Sequence, residues 1–237
     1  MRKKVLLKEL IIVIDDVKKL FNKRRIVSVI EKSQGNYLTS LDIEVEEYLR
    51  KRLNELLPSA GIIAEESTAI IKNKNWVIDP IDGTGNFING FPFTVSIALI
   101  NNKNETEIGA VYCHSTDELF YSASGCGAFL RKGIKTRRIR VKQFAEKEGI
   151  IIFGVPYDRE KTHKILSIVE KMYSNASDIK RIGPSSLDIC RVAEGKAKMY
   201  FELDLKRWDY AAGELILKEA GGYCEEVGDL RVFKATP

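Results

Sequence analysis

The chain has 237 residues, of which 44% are hydrophobic and 30% are charged, and its formal net charge is +5. This composition is typical of a globular protein with a large core, built as one domain or as two joined lobes. No stretch reaches the roughly 18 apolar residues of a membrane-spanning helix, and the start lacks the apolar core and cleavage site of a signal peptide. We therefore expect a cytoplasmic protein with no membrane partner.

The four cysteines do not form a zinc-binding pattern. None is spaced as C-x-x-C, and the chain has only two histidines, His114 and His163. A zinc site is therefore not expected, and the cysteines are interpreted as reduced, mostly buried thiols.

A short basic run extends from Arg131 to Arg140, whereas the other basic residues are spread along the chain. We interpret the run as a solvated edge of the fold, with a nucleic-acid-binding patch as the alternative. On that interpretation we expect no nucleic-acid partner.

The first half of the chain predicts two helices followed by strands. Apolar residues at spacings of three and four predict a helix over 4–22, and a cap at Thr39 or Ser40 begins a second helix that runs to about Leu57. A polar loop, Lys32-Ser-Gln-Gly-Asn36, lies between them. Closely spaced apolar runs then predict an antiparallel meander over 61–64, 76–78, 93–100, 107–112, 118–123 and 125–130.

The second half predicts alternating strands and helices. We expect helices over 159–173, 185–193 and 209–220, and strands over 150–153, around Arg181, over 198–201, near Tyr223 and over 232–235. This alternation predicts an α/β lobe behind an α+β lobe. We place the boundary so that the N-terminal lobe covers residues 1–134 and the C-terminal lobe covers residues 135–237.

Two acids follow one apolar strand candidate. The strand ends at Asp79, Pro80 cannot donate to a strand ladder, and Asp82 follows. Two carboxylates this close repel each other unless a cation lies between them, and Mg²⁺ prefers such hard oxygen ligands, to which the Ile81 carbonyl adds another. Gly83 and Thr84 would then open a short helix whose free N–H groups hold a phosphate.

A pair of acids after a proline also caps many ordinary turns, which is the simpler interpretation of Asp79 and Asp82 taken alone. However, Glu65 and Glu66 also follow an apolar strand candidate, and Asp209 begins a predicted helix. Three acidic positions at strand ends or helix starts favour a metal site over independent caps.

Four motifs resemble those of the inositol monophosphatase superfamily, which also contains fructose-1,6-bisphosphatases and nucleotide 3′-phosphatases. In chain order they are Thr39-Ser-Leu-Asp42, Ala64-Glu-Glu-Ser, Asp79-Pro-Ile-Asp-Gly-Thr-Gly-Asn-Phe, and Trp208-Asp-Tyr-Ala-Ala-Gly with Glu219-Ala-Gly-Gly. The resemblance covers roughly residues 36 to 222. It implies an α/β (α+β) fold, a layered α-β-α-β-α sandwich of the sugar phosphatase type, and a homodimer.

The resemblance also implies roles for individual residues. Two or three Mg²⁺ ions would be bound by Glu65, Asp79, Asp82, Asp209 and the Ile81 carbonyl. Thr84, polarised by Asp42, would position the attacking water with help from Glu65. The substrate would contact Ile81, Asp82, Gly83, Thr84, Gly183, Pro184, Ser185, Glu202 and Asp209.

Two of these residues have simpler interpretations. Asp42 is also a favourable acid for the first turn of a helix, where the helix dipole stabilises it. Glu202 could end a strand that faces water, whereas in the family it would accept hydrogen bonds from substrate hydroxyls.

The implied reaction is direct hydrolysis of a small polyol or sugar phosphomonoester by metal-activated water, with inositol-1-phosphate as the first substrate and lithium as an inhibitor. Fructose-1,6-bisphosphatase activity, alone or in addition, is the runner-up, followed by a nucleotide 3′-phosphatase and by a binding protein that keeps the fold. Glu202 would repel a second phosphate, but Lys180, Arg181 and Arg207 are near enough in sequence to supply a cation.

Overall fold

The computed structural model describes residues 3–23, 28–228 and 232–237, which form helices and strands in alternating layers. The helices are α1 (Lys3–Lys23), α2 (Ser40–Leu56), α3 (Thr84–Ile88), α4 (Arg159–Tyr173), α5 (Ser185–Ala193) and α6 (Arg207–Ala220). The strands are β1 (Val29–Ser33), β2 (Asn36–Thr39), β3 (Gly61–Ala64), β4 (Asn75–Asp82), β5 (Thr94–Ile100), β6 (Thr106–Cys113), β7 (Glu118–Ala123), β8 (Ala128–Lys132), β9 (Lys135–Ile139), β10 (Ile150–Phe153), β11 (Asp178–Lys180), β12 (Met199–Glu202), β13 (Tyr223–Val227) and β14 (Val232–Thr236).

The larger sheet has seven strands in the order β3-β4-β5-β6-β7-β8-β9. Strands β3 and β4 are parallel, and every later neighbour pair is antiparallel. The predicted antiparallel meander is therefore observed from β4 onward, but it is wrong for its first pair, because β3 and β4 are parallel. The meander also continues through β9, which the sequence analysis did not predict.

The smaller sheet has five strands in the order β11-β10-β12-β14-β13. Strand β10 is parallel to both β11 and β12, whereas β14 is antiparallel to β12 and β13. The strand expected around Arg181 is β11, but it ends at Lys180, so Arg181 lies outside it. Instead, Arg181 lies on the wall of the main cavity.

Both faces of the larger sheet are covered, which explains why β4 is buried along its whole length. The side chains of Trp76 and Ile78 pack against α1 and α2, while Val77 between them packs on the opposite face against α5 and α6. This alternation follows from the period of two along a strand.

Helices α5 and α6 form the middle layer between the two sheets. Ile189 and Ile216 from these helices share one core with Val111 of the larger sheet and Tyr200 of the smaller sheet. Helix α4 packs on the outer face of the smaller sheet through Ile165. The order of layers is therefore helices, seven-stranded sheet, helices, five-stranded sheet, helix, which confirms the predicted sandwich.

Helix α6 approaches the larger sheet closely at one point. A Cβ atom at Gly109 of β6 would lie 2.8 Å from the carbonyl oxygen of Ala212, so only glycine allows this approach without a shift of the helix. The close approach matters for function because α6 carries Asp209 at its first turn.

Two further expectations concern the chain as a whole. Among the residues that the structure describes, no helix has the length and apolar character needed to cross a membrane. The division into lobes at residues 134 and 135 stays a prediction; β9, which pairs with β8 of the larger sheet, begins at Lys135.

Candidate metal centre and active site

Strand β4 brings two of the predicted acids to one place by means of a bulge. Residues three apart on a regular strand point to opposite faces of a sheet. Here Asp79 pairs with Ser96 but Asp82 pairs with Thr94, so the register against β5 shifts between them. Pro80, which has no N–H group, lies in this irregular segment. The extra residue turns both carboxylates toward the same site.

Helix α6 supplies the third acid. Carboxylate oxygens of Asp79, Asp82 and Asp209 all lie within 4.8 Å of one another, and we call these three residues the acid cluster. Asp209 is held at the start of α6, where its Oδ2 accepts a hydrogen bond of 2.6 Å from the Lys206 N–H. The start of α6 is tied to β5, because Ser96 Oγ donates to the Trp208 carbonyl at 3.1 Å.

Asp82 is oriented by groups from two other elements. Its Oδ2 accepts hydrogen bonds from the Ser186 N–H of α5 at 2.9 Å and from Thr94 Oγ1 of β5 at 3.4 Å. The two hydroxyls of Ser186 and Thr94 are themselves 2.7 Å apart. The carboxylate is therefore fixed by one contact from its own sheet and one from the middle helical layer.

The acid cluster is electrostatically strained without a cation. Burial raises the pKa of Asp79 well above its usual value, and the charges of Glu65, Asp82 and Asp209 raise it further. Burial likewise raises the pKa of Asp82 to about 6, although the hydrogen bonds from Ser186 oppose the shift. A divalent cation would remove this repulsion, and carboxylate oxygens are the ligands that Mg²⁺ prefers.

Glu65 follows β3 and lines the same cavity, but it lies outside the group of three. Its Oε1 accepts a hydrogen bond of 3.3 Å from Lys32 Nζ, which also binds Glu66 at 2.7 Å. Burial raises the pKa of Glu65 to about 7, partly offset by the Lys32 charge. Lys32 lies in the β1–β2 hairpin, so this hairpin reaches over the acids.

Asp42 and Thr84 form the expected pair. Thr84 Oγ1 lies 3.1 Å from Asp42 Oδ1 and 3.1 Å from the Ile81 carbonyl oxygen, and its single proton can be donated to only one of them. The other Asp42 oxygen accepts from the Thr39 N–H at 2.8 Å and from the Thr39 hydroxyl. Burial raises the pKa of Asp42, and the hydrogen bonds from Thr39 oppose that shift.

The helix opened by Gly83 and Thr84 is short. It spans Thr84–Ile88, and its N-cap is Gly83 with a φ of 87°. Glycine suits this left-handed conformation, and a Cβ here would also lie 3.1 Å from the Pro184 side chain. The segment that carries the predicted phosphate contacts is thus packed directly on the predicted substrate residues.

One cavity of about 710 Å³ joins these elements. All of the predicted site residues except Asp42 line it, and Asp42 lies behind Thr84. The cavity residues predicted from the sequence are Glu65, Asp79, Ile81, Asp82, Gly83, Thr84, Gly183, Pro184, Ser185, Glu202 and Asp209.

Glu202 faces this cavity and not bulk water. Its Oε2 accepts hydrogen bonds from Ser185 Oγ at 3.2 Å and from the Tyr200 hydroxyl. Burial raises the pKa of the Glu202 carboxyl to about 7. Gly154 packs against the carboxylate so closely that any side chain at that position would overlap it.

The structure separates the three cations proposed near Glu202. Arg181 lines the cavity, and its charge acts on Glu202. Lys180 instead pairs with Asp178 at 2.5 Å, and Arg207 bonds to Glu214 at 2.7 Å. Only Arg181 of the three therefore lines the cavity.

Comparison with known proteins agrees with the layered sandwich of the sugar phosphatase type. The family model described as "Inositol monophosphatase family" matches residues 3–229. The chain therefore belongs to the inositol monophosphatase family, and the resemblance noted from the motifs is confirmed.

Individual relatives carry two kinds of name. The protein "Nus factor SuhB" of Xylella fastidiosa is 38% identical over 207 residues, which cover 85% of this chain and 73% of the relative. "Fructose-1,6-bisphosphatase/inositol-1-monophosphatase" of Aquifex aeolicus is 34% identical over 218 residues, with 90% and 81% covered. The solved suhB protein of Bartonella henselae has a TM-score of 0.81 at 31% identity, with 97% and 90% covered.

Several residues of the site were not assigned a role from the sequence. Ser186 and Thr94 hold Asp82, Gly154 makes room for Glu202, and Lys32 pairs with Glu65. Ser186 and Asp82 are 104 positions apart, so no local pattern links them. A role for Lys32 was only weakly indicated by the sequence, through its position in a polar, glycine-containing segment.

Proposed function

We propose that this protein is a Mg²⁺-dependent phosphomonoesterase that hydrolyses a small polyol or sugar phosphate, with inositol-1-phosphate as the leading candidate substrate. The observation that carries the proposal is the acid cluster, in which three carboxylates from β4 and α6 lie within 4.8 Å of one another. The cluster stands in a cavity large enough for a phosphorylated sugar. Family membership supports the same activity.

The donors present suit Mg²⁺. The acid cluster would hold two or three ions together with Glu65 and the carbonyl oxygen of Ile81, all of which line the cavity. When bound, these ions supply Lewis-acid stabilisation of the phosphoryl oxygens and lower the pKa of a coordinated water. Ser186, Thr94 and Lys206 hold the carboxylates in place for them.

The Thr84–Asp42 pair would position the attacking water. In this role Thr84 Oγ1 would donate its proton to Asp42, which leaves its lone pairs free to accept a hydrogen bond from that water. The water oxygen forms the new bond to phosphorus, the bond from phosphorus to the substrate oxygen breaks, and inorganic phosphate and an alcohol leave. Holding the water in line supplies much of the rate by proximity.

The opposite wall of the cavity would bind the polyol. Gly183, Pro184 and Ser185 lie there with Glu202, whose Oε2 is already engaged by two hydroxyls. Glu202 Oε1 is available to accept a hydrogen bond from a substrate hydroxyl. Buried carboxylates recognise hydroxyl-rich ligands in this way and disfavour a second phosphate.

A fructose-1,6-bisphosphatase activity, alone or in addition, is the second candidate. Arg181 favours it, since this cation lines the cavity and no acid is paired with it in the described part of the chain. The Aquifex aeolicus relative carries both activities in its name. A nucleotide 3′-phosphatase and a non-catalytic binding protein are the remaining alternatives, and no contact in the cavity favours either.

The first experiment combines substrates with an acid-cluster variant. Phosphate release is measured with Mg²⁺ on inositol-1-phosphate, fructose-1,6-bisphosphate and a nucleoside 3′-phosphate. We expect Asp82→Asn to lower turnover by about two orders of magnitude or more, because one metal-binding charge is lost. Calorimetry should show weaker Mg²⁺ binding by the same variant.

The matched control is Asp204→Asn. Asp204 also lines the cavity, but it pairs with Lys161 outside the acid cluster. The turnover of Asp204→Asn should stay close to that of the wild type. Near-full activity in Asp82→Asn, or an equal loss in both variants, would contradict the assigned metal site. Absence of phosphate release from all substrates would favour a binding protein.

The second experiment tests the Thr84–Asp42 pair. Thr84→Val removes the hydroxyl but keeps the shape, and we expect kcat to fall by about 10²-fold or more while Mg²⁺ binding persists. Thr84→Ser restores a hydroxyl and should recover most of the rate. If Thr84→Val keeps its kcat, the water is positioned by another group.

Two predictions from the resemblance, and one from the sequence itself, belong to this proposal. Lithium should inhibit phosphate release by competing for a Mg²⁺ position, and no inhibition at high millimolar lithium would argue against it. Light scattering should show a homodimer. The cytoplasmic location stays a prediction as well.

A further inference from the structure

The segment from Leu119 to Ala145 carries no acidic residue. It holds a dense group of basic residues, and these are Arg131, Lys132, Lys135, Arg137, Arg138, Arg140 and Lys142. None of the seven lines the cavity described above. The segment therefore concentrates positive charge on a part of the molecule that the proposed reaction does not use.

The fold places this charge at a free sheet edge. Strand β9 is the last strand of the seven-stranded sheet, and in the described part of the chain it pairs with β8 alone. Four of its five residues are exposed. The hairpin tip before it is exposed as well, with Ile134 at 99%.

Some of the seven cations are already neutralised. Arg131 bonds to Asp15, Lys132 pairs with Glu118 at 3.2 Å, and Arg137 pairs with Glu194 at 2.8 Å. By contrast, Lys135, Arg138 and Arg140 are exposed and have no acidic partner among the residues that the structure describes. We call these three residues the basic edge.

Two aromatic side chains continue the basic edge across the sheet. The rings of Tyr121 and Phe129 are stacked with centroids 5.6 Å apart and an angle of 20°, and both are half-buried. Phe129 is the direct antiparallel partner of Tyr121 on one side and of Arg138 on the other. Because direct partners share a face, Tyr121, Phe129 and Arg138 lie on one face of the sheet, with Arg140 on the same face and Lys135 on the opposite one. Tyr121 packs in part against the core, so Phe129 is the outer ring of the pair.

We propose that the basic edge and the Tyr121–Phe129 pair form a docking surface for single-stranded nucleic acid. The three cations of the basic edge would contact backbone phosphates, and Phe129, backed by Tyr121, would offer stacking surface to a base beside Arg138. An acidic protein segment would use the cations and the free strand edge but would gain nothing from stacked rings. The aromatic row therefore favours nucleic acid over an acidic protein.

This inference reverses the interpretation of the basic run as a merely solvated edge. Basic side chains on an edge strand also prevent strand-to-strand aggregation, and that role alone requires no ligand. Only the docking surface predicts that nucleic acid binds and that binding depends on these particular cations and on the rings. The inference does not depend on the proposed phosphatase activity.

The test measures fluorescence anisotropy of labelled oligo(U) and oligo(dT) of about 15 nucleotides, a length that matches common single-strand site sizes. The triple variant Lys135→Gln/Arg138→Gln/Arg140→Gln should weaken binding by about tenfold or more. Loss of three phosphate contacts should also reduce the slope of log affinity against log salt by about 2. RNA and DNA should both bind, because phosphate contact and stacking are common to them.

The matched control is Lys51→Gln/Lys164→Gln/Lys171→Gln, which removes the same charge from exposed positions on α2 and α4. It should change binding by less than about twofold, and thermal melting should show that both triple variants are folded. Phe129→Leu should weaken nucleic-acid binding but not the binding of a labelled polyglutamate peptide. That difference separates stacking from charge alone.

Three results would overturn the proposal. The first is that neither oligonucleotide binds at about 50 mM salt, where phosphate contacts are strong. The basic run would then be only a solvated edge. The second is an equal loss in both triple variants, which indicates general charge attraction. The third is tighter binding of polyglutamate with no effect of Phe129→Leu, which assigns the surface to an acidic protein.

Discussion

The Glu202 carboxylate depends on a residue that has no side chain. Gly154 follows β10, and its N–H donates to the Phe201 carbonyl at 3.0 Å, so its backbone is tied to β12 next to Glu202. A Cβ at position 154 would overlap the carboxylate. The glycine is therefore part of the proposed polyol-binding wall, although it makes no polar contact with a substrate.

Gly154→Ala should displace Glu202 from Ser185 and Tyr200. We expect KM for inositol-1-phosphate to rise with a smaller effect on kcat, and stability to fall by about 1–3 kcal/mol from overpacking. Steady-state kinetics and urea unfolding measure the two effects. In a Glu202→Ala background, Gly154→Ala should change KM and stability much less than it does in the wild type. Additive losses would show that the two residues do not interact.

At the residue scale, motif reasoning predicted which acids would meet but not what holds them. Asp79, Asp82 and Asp209 share one cavity as expected. The strand does not end at Asp79, however, but continues through a bulge to Asp82. Ser186 and Gly154 could not be predicted, because their roles arise only when distant segments pack together. Their contacts are set by tertiary structure and leave no local pattern.

Among the elements, α2 links folding to the proposed chemistry through its cap. Thr39 is the N-cap, and its hydroxyl accepts from the Leu41 N–H at 3.2 Å and from the Asp42 N–H at 3.4 Å. In return, Asp42 accepts from the Thr39 N–H, which completes a capping box. The same Asp42 side chain bonds to Thr84 through its other oxygen. One turn of helix thus fixes the group that is proposed to polarise Thr84.

Thr39→Ala should therefore affect stability and rate together. Loss of an N-cap hydroxyl costs typically about 1 kcal/mol, which urea unfolding will measure. We also expect kcat to fall, because Asp42 loses the hydroxyl that orients it. Thr39→Ser keeps the cap and should recover both quantities. A stability loss with unchanged kcat would separate the cap from the proposed Thr84–Asp42 pair.

The long elements were predictable, whereas the strand within the basic run was not. The helix predicted over 4–22 is observed as Lys3–Lys23, and the one over 159–173 agrees with α4, because their apolar stripes have a clear helical period. Strand β9 was missed, since four of its five residues are exposed and its sequence has no apolar alternation. It is a strand only because β8 pairs with it.

Across the whole molecule, Glu118 joins the larger sheet to the middle layer. This residue of β7 is 4% exposed, and its carboxylate accepts from Arg191 of α5 at 2.7 Å and from Lys132 of β8 at 3.2 Å. Burial alone would raise the pKa of Glu118, but the hydrogen bonds from Arg191 and Thr116 outweigh it and lower the pKa to about 2. The ionised form is thus strongly preferred in the folded protein.

A carboxyl group with a lowered folded pKa stabilises the fold above its unfolded pKa of about 4.3, and this contribution is lost as pH falls toward 2. We expect Glu118→Gln to be less stable than the wild type near pH 6. The difference should shrink as pH falls from about 4.3 toward 2, as followed by urea midpoints.

Glu55→Gln serves as the control for this pH series, because the Glu55 side chain is 48% exposed. Its unfolding midpoint should follow the wild type throughout. A destabilisation of Glu118→Gln that stays constant down to pH 2 would mean that packing, and not charge, is what the glutamate contributes.

The acid cluster is divided between β4, which is synthesised early, and α6, which emerges more than a hundred residues later. On the proposed assignment, a growing polypeptide on the ribosome carries Asp79 and Asp82 for many seconds before Asp209 exists. On the same assignment, hydrolysis would begin only once the central helices have docked between the sheets, so turnover would report that folding is complete.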